Sequence, residues 1–263
     1  MLASPSIDIL VPAFLAGLMV LATHVPLGQM VLERGIVFID LAVAQVAGLG
    51  VAVAGVFGWE EIGWAVQASA VGAALVSAGF LIWCEKRFPR VQEGIIGVVF
   101  VVAASAEIIV LDLNPHGAEH LKDLLVGQIL WVGKTQISWL ALVTAVLGLG
   151  MLTGLVDRLG RFGFYGTFAI AVTASVQLVG VYLVFTSLIV PALATRGMSG
   201  RSRFVAGYGV GAVGYALGLA LSALLDLPSG AVIVWVLAAT AVVFAFAKSR
   251  WVSVPASVAR VHG

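Results

Sequence analysis

Apolar residues in this chain follow neither the period of an amphipathic helix nor that of a half-buried strand. They run in long blocks separated by short clusters of charge, at residues 9–32, 36–57, 62–83, 94–112, 136–156, 204–224 and 229–247. A helix apolar on all sides is one with no aqueous face. Crossing a hydrocarbon core of about 30 Å takes about 20 such residues. The stretch 166–196 is too long for one simple span. It carries the polar Gln177 and, near its end, Pro191, and is read as two shorter helices or one long broken one. Residues 120–133 are moderately apolar and predict a short interfacial helix. The pattern predicts an all-α integral membrane protein, a polytopic helical bundle of eight or nine transmembrane helices in a single domain over 1–263.

Composition sharpens this picture. Of 263 residues, 61% are hydrophobic and only 10% charged, and mean hydropathy is +1.12. A soluble domain carries roughly 25% charged residues to cover its surface, so most of this exterior must face lipid. The net charge of +1 argues against nucleic acid, which needs a clustered basic face. One cysteine, Cys84, excludes an intrachain disulfide framework and a Cys-rich zinc site. Residues 1–33 hold no Lys or Arg, so the basic start of a cleavable signal peptide is missing and the first apolar block is expected to be retained.

Charge also orients the spans. Twelve of the fourteen basic residues fall in five places: Arg34; Lys86, Arg87 and Arg90; Arg158 and Arg161; Arg196, Arg201 and Arg203; Lys248, Arg250 and Arg260. The connections at 58–61, 113–123 and 225–230 are acidic or neutral apart from Lys122. Lys and Arg concentrate in cytoplasmic loops, which puts the N-terminus outside and the C-terminus in the cytoplasm. Gly207, Gly211, Gly214 and Gly218 share nearly one helical face, a surface on which another helix approaches closely.

Three strings invite a chemical reading. Gly209, Gly211 and Gly214 spell G-x-G-x-x-G, but inside an apolar span rather than between a strand and a helix, so helix packing accounts for them. Gly133-Lys134-Thr135 ends like a phosphate loop, yet Gln128 stands where that loop needs glycine. ATP hydrolysis is therefore not expected of this chain alone. His116, Glu119 and His120 form H-x-x-E-H, known from a class of zinc peptidases. Gly117 weakens a helix there and no distal ligand is evident, which leaves a metal-capturing external vestibule or a plain solvated loop as the other readings.

Polar residues at membrane depth are more informative, because an ionisable group in hydrocarbon usually marks a transport path. His24, Asp40, Gln45, Gln67, Glu107 and Gln177 are the candidates. Counted from Arg34, Asp40 lies about 9 Å deep, and His24 and Gln45 about 15 and 16 Å; Glu107, counted from Gly94, lies about 20 Å deep. Imidazole with carboxylate suits a divalent transition metal such as Zn²⁺ or Mn²⁺. Other roles stand beside this one. Asp40 could pair with Arg34 or favour its helix start, and His24, just before Pro26, could bond a carbonyl freed by the proline. Glu107 could stay protonated, and the glutamines could join helices.

Several segments of the chain resemble the permease subunits of bacterial zinc/manganese-type ABC importers. They are Gly17 to Arg34 with Pro26-Leu27-Gly28, Gly35 to Gln45, Gln92 to Gly97, Asp123 to Leu130, Gln177 to Ala192 and Asp226 to Gly230. The match runs from about residue 9 to 247 in the family's order. The stretch from Val179-Gly180 to Ile189-Val190-Pro191-Ala192 and the string Asp226-x-Pro228-x-Gly230 are its most specific parts.

The resemblance implies a permease in the bacterial inner membrane that works as a homodimer. It would pair with a cytoplasmic ATP-binding subunit and receive metal from an extracytoplasmic metal-binding protein, with no permanently bound cofactor. The segment 154–166 would be the cytoplasmic coupling element, and the loop 113–123 would lie outside. The family's metal site resembles an Asp followed four residues later by His in the second span. Asp40 matches the Asp, but the fourth residue on is Ala44, followed by Gln45. This resembles a branch reading Asp-Leu-Ala-x-Ala-Gln, in which His24 would supply the nitrogen ligand, Glu107 a second carboxylate and Gln45 a further donor, or in which metal preference or partner has shifted. Outside, His116, Glu119 and His120 would capture metal. An ion-gradient-driven secondary transporter and a membrane zinc peptidase are the alternatives.

Overall fold

The computed structural model describes residues 7–59, 62–112, 125 and 127–252. Among them are ten α-helices and no strand: α1 (Ile7–Arg34), α2 (Ile39–Val56), α3 (Gly63–Arg87), α4 (Gln92–Asp112), α5 (Lys134–Leu152), α6 (Leu155–Arg158), α7 (Gly160–Val179), α8 (Val181–Ala194), α9 (Gly200–Leu225) and α10 (Ser229–Val252). Eight are long and apolar enough to cross a membrane, and α8, with 14 residues, is shorter. Of the interfacial helix expected over 120–133, the described Leu125 is helical, and 127–133 is a turn of the chain at Gly127 followed by a single 3₁₀ turn, Ile129–Trp131. Gly127, at φ +73, sets that bend, since positive φ is costly for any residue with a Cβ.

The stretch 166–196 is two helices, broken at Gly180. Its φ of 81° and ψ of 160° lie outside the range an L side chain adopts readily. Its N–H closes α7 on the Val176 carbonyl and its own carbonyl opens α8 by accepting from Val184 N. Gln177 and Pro191, which flagged the irregularity in the sequence, both stay helical. Glycine 127 is packed against this break, where a Cβ would lie 2.2 Å from the Val179 carbonyl carbon.

Ion pairs gather one set of helix ends on a common face. Glu85, in the last turn of α3, pairs with Arg161 at the start of α7 and with Arg34 at the end of α1. Glu33 of α1 pairs with Arg203 at the start of α9. The Lys248 ammonium of α10 donates to the carbonyl of Arg196, just past α8. Thus α7 leaves this face and α8, too short to count among the eight candidate spans, leads back toward it. Of the eight long helices, α7 and α2 are the most enclosed, and α5 and α4 the least.

Small residues set the spacing inside the bundle. The glycine face of α9 serves two neighbours rather than one. A Cβ at Gly207 or Gly211 would meet Val25 or Leu21 of α1, whereas one at Gly214 or Gly218 would meet Leu237 or Ile233 of α10. The closest approach joins α1 to α8, where a Cβ on Gly28 would lie 1.9 Å from the Leu188 carbonyl oxygen. In lipid, packing of this kind replaces the hydrophobic drive that water supplies elsewhere. Between α3 and α7, Gln67 and Gln177 exchange side-chain hydrogen bonds of 2.6 and 3.3 Å. This amide pair is the interhelical link expected of glutamines at membrane depth.

Two stability experiments follow from this packing. Gly28→Ala forces backbone apart and should lower the thermal unfolding temperature in detergent, with overpacking costing about 1–3 kcal/mol. Gly209→Ala meets nothing within 4 Å and should not, and equal behaviour of the two would mean that α1 and α8 are not in close contact. Gln67→Leu leaves the Gln177 amide without its partner and should cost about 1 kcal/mol. Adding Gln177→Leu should cost little more, and strictly additive losses would show that the two amides act separately.

Candidate functional site

The chain leaves α1 at Arg34, turns through Gly35 at φ +70 and enters α2 at Ile39. The Phe38 N–H donates to Glu93 Oε1 of α4 at 3.2 Å, which fixes the start of α2 against that helix. Asp40 therefore stands in the first turn of α2, 1% exposed, with neither carboxylate oxygen in a hydrogen bond of good geometry. Arg34 does not pair with it. That guanidinium lies 3.8 Å from Glu85 and 4.3 Å over the Phe164 ring. Nor does Asp40 cap the helix, since Phe38 occupies the cap position with no side-chain cap bond. The partial positive charge of the helix start favours a carboxylate here but does not replace a partner. A buried carboxylate without one is costly, and such a group at membrane depth is by default a place for a cation.

His24 is fully buried in α1. Its Nδ1 lies 2.9 Å from the Val20 carbonyl oxygen and 3.1 Å from Thr23 Oγ1. A carbonyl can only accept, so Nδ1 carries the proton and Nε2 keeps a lone pair, for which no partner is present. The carbonyl it bonds is Val20, not Ala22, which Pro26 deprives of its helical donor. A ring held by Nδ1–H on a backbone carbonyl with Nε2 bare is the arrangement used by metal-ligating histidines.

Glu107 is buried in α4 against Gly48 of α2, where a Cβ would lie 2.9 Å from Oε1. Gly48 is eight residues beyond Asp40, about 12 Å along the helix. The structure thus places Glu107 on the same helix pair as Asp40 but two turns further in. His24 sits on a helix that packs chiefly against α8, α9 and α5, while α2 packs against α3, α4 and α7. Within one chain the three groups are not gathered. Among the described residues no three of His, Cys, Asp and Glu lie close enough together to hold a metal ion. Gln45 is buried on α2. His116, Glu119 and His120 lie outside the described residues, as does the rest of the expected external loop 113–123.

At the end of the bundle opposite the ion pairs, the turn 127–131 and the α9–α10 connection enclose a shallow pocket of 290 Å³ lined by Gln128, Trp131, Leu227 and Pro228 among others. At the ion-paired end, the expected coupling segment is the short helix α6 between two glycines of positive φ, Gly154 and Gly160. The residue that sequence reading passed over is Glu85. It stands beside Lys86 and Arg87 and reads there as part of a solvated loop. Its position one residue before that basic pair was the available signal, and its two arginine partners come from distant segments.

Comparison with solved structures places this architecture. The chain is similar to a chain of PsaBC from Streptococcus pneumoniae in complex with Fab, at 18% identity and a TM-score of 0.75, covering 91% of each chain. It is also similar to a metal-chelate type ABC transporter in an inward-facing conformation, at 15% identity and a TM-score of 0.70, covering 90% of this chain and 85% of that one. Both likenesses establish a shared fold. The model of the ABC 3 transport family matches residues 6–249, nearly the whole chain, and the protein is a member of that family.

Proposed function

We propose that the chain is the membrane-spanning permease of an ATP-driven importer for a divalent transition metal, Zn²⁺ or Mn²⁺, and that Asp40 is the first ligand of its transport path. Family membership supports a transport component that works with an ATPase and a substrate-binding partner. The metal reading draws on the metal-chelate type transporter among its structural neighbours and on the donor chemistry of the buried groups. The observation that carries it is the buried Asp40 carboxylate, which has no side-chain partner and no hydrogen bond of good geometry.

A hydrated divalent ion does not enter hydrocarbon, because losing its water costs far more than packing returns. The path must supply oxygen and nitrogen donors in exchange. One chain at rest does not assemble a full set, and Asp40 and His24 are closed off from its surface, so α1 and α2 must part toward a second copy of the permease before Asp40 becomes the anionic ligand. His24, whose Nε2 lone pair is free, supplies the nitrogen donor, and Glu107 and Gln45 lie further along the path. His116, Glu119 and His120 capture metal from the external binding protein. The basic helix ends face the cytoplasm by the positive-inside rule, leaving the N-terminus outside. The segment 154–166 docks on the separate ATPase subunit, which supplies the hydrolysis for which this chain lacks a phosphate loop.

The test is metal stoichiometry by mass spectrometry on the permease with its ATPase partner in lipid, for the unmodified chain, Asp40→Asn and His24→Ala. Asp40→Asn keeps the shape and removes the charge, and should weaken binding of Zn²⁺ or Mn²⁺ by more than about tenfold. His24→Ala should weaken it by about tenfold with ATPase assembly intact. Full metal occupancy in Asp40→Asn would move the path elsewhere in the bundle. Complete indifference to His24→Ala would remove the imidazole from it.

A further inference from the structure

We infer that the Glu85 carboxylate is the joint through which the segment 154–166 moves α1 and α3, so that it couples the ATPase cycle to opening of the path; this rests on the permease reading above. Glu85 ends α3 and is 19% exposed. Arg161 Nε, three residues past α6, donates to its Oε1 at 2.9 Å. Arg34, the last residue of α1, brings Nη1 to 3.8 Å of the same oxygen. The second oxygen, Oε2, is buried with no hydrogen bond of good geometry, and the Tyr165 hydroxyl faces the same carboxylate. One carboxylate thus serves two cations from two helices through one atom, with Tyr165 as a third neighbour from α7.

The surroundings make this a mechanical junction rather than a chance surface contact. The Arg34 guanidinium is held between Glu85 and the Phe164 ring at 4.3 Å. Phe164 packs edge-on against Tyr165, whose hydroxyl accepts from Gln92 Nε2 of α4 at 2.7 Å. On the same helix end, Lys86 lies 5.5 Å over Phe162. Residues 161, 164 and 165 share one face of the first turns of α7, so α7 carries Arg161, Phe164 and Tyr165 as one unit. Displacement of α6 is transmitted along that face, first to Glu85 and α3, then to Arg34 and α1, and by Gln92 to α4. The glycines of positive φ at 154 and 160 turn the chain at the two ends of α6, and the Val156 carbonyl packs so closely on Gly163 that a Cβ there would lie 2.2 Å from its oxygen, so movement of α6 passes directly to α7.

The ion pair itself contributes little to stability. Arg161 is 49% exposed and Arg34 33%, and exposed pairs of this kind rarely add measurably to folding. Their orientation has a different consequence. A pair that is easily broken and remade, with both arginines on one oxygen, suits exchange between Arg161 and Arg34 as the helices shift. Glu85 touches neither metal nor nucleotide in this scheme and acts as a positioning residue.

The experiment uses the full permease with its ATPase subunit in lipid vesicles, with ATP hydrolysis and uptake of Mn²⁺ and of Zn²⁺ measured on the same sample. Glu85→Gln and Arg161→Ala should each lower ions moved per ATP by about tenfold while hydrolysis stays within about twofold. Arg161→Lys, which keeps charge and reach, should retain most of the ratio. The double variant Glu85→Gln with Arg161→Ala should be no worse than either single change, the signature of one shared link. Unchanged ions per ATP in both single variants overturns the inference, as does a proportional fall of uptake and hydrolysis together, which marks a role in assembly only. A double variant whose loss is the product of the single losses also overturns it. If the unmodified complex hydrolyses ATP yet moves neither metal, the functional reading fails first and takes this inference with it; uptake in the unmodified complex with indifferent variants rejects the joint alone.

Discussion

Hydrocarbon offers no hydrogen bonds, and that constraint governs where every polar atom of this protein sits. Backbone groups satisfy one another within helices. Side chains must find a partner inside the bundle or stand at its ends. Gln67 and Gln177 find each other, Ser187 and Tyr215 share a 2.8 Å bond, and Gln92 finds Tyr165. Asp40 and the Nε2 atom of His24 find no partner. Ser77 Oγ and Thr173 Oγ1 share that condition, but only Asp40 and His24 bring ionisable groups to the interior unpaired, which is why the proposed function rests on them.

The same solvent makes steric fit the main cohesive force between helices. The glycines on α9 and Gly28 on α1 let helices approach until side chains or backbone fill the space a Cβ would take. Where glycine takes a positive φ it breaks or turns the chain instead, as at Gly35, Gly127 and Gly180. Gly180 divides what would be one overlong span into a hairpin of α7 and a short α8, both enclosed, which places the most buried part of the bundle next to α1 and α2. The candidate ligand-bearing helices are thus held by the elements whose geometry depends most on glycine. The ends are held differently, by ion pairs and cation–π contacts that water and salt weaken.

Much of the fold was legible along the chain. Spans, the all-α class and the common face of the basic ends follow from the demand that each crossing segment be apolar and each cytoplasmic turn basic, requirements met residue by residue without tertiary information. The break within 166–196 was visible, but its position was not. Gln177 and Pro191 are polar or helix-disfavouring in isolation, yet neighbours satisfy Gln177, and α8 runs on through Pro191. Gly180 stood out only as part of a family string, because nothing local distinguishes a glycine that packs from one that turns.

The candidate site divides along the same line. By itself the sequence determined which groups are out of place in lipid, because burial is implied by a position within an apolar run: His24, Asp40, Gln45 and Glu107 are all buried as that argument requires. Only the tertiary structure decided what each of them meets. Depth counted along a helix is one coordinate, and coordination needs three. Glu107 came to face Gly48, two turns from Asp40, and His24 lies on a helix that packs mainly on other neighbours. Arg34, the nearest cation to Asp40 in sequence, went to Glu85 instead. That choice depended on how α1, α3 and α7 converge, a relation between segments far apart in the chain that no local pattern encodes.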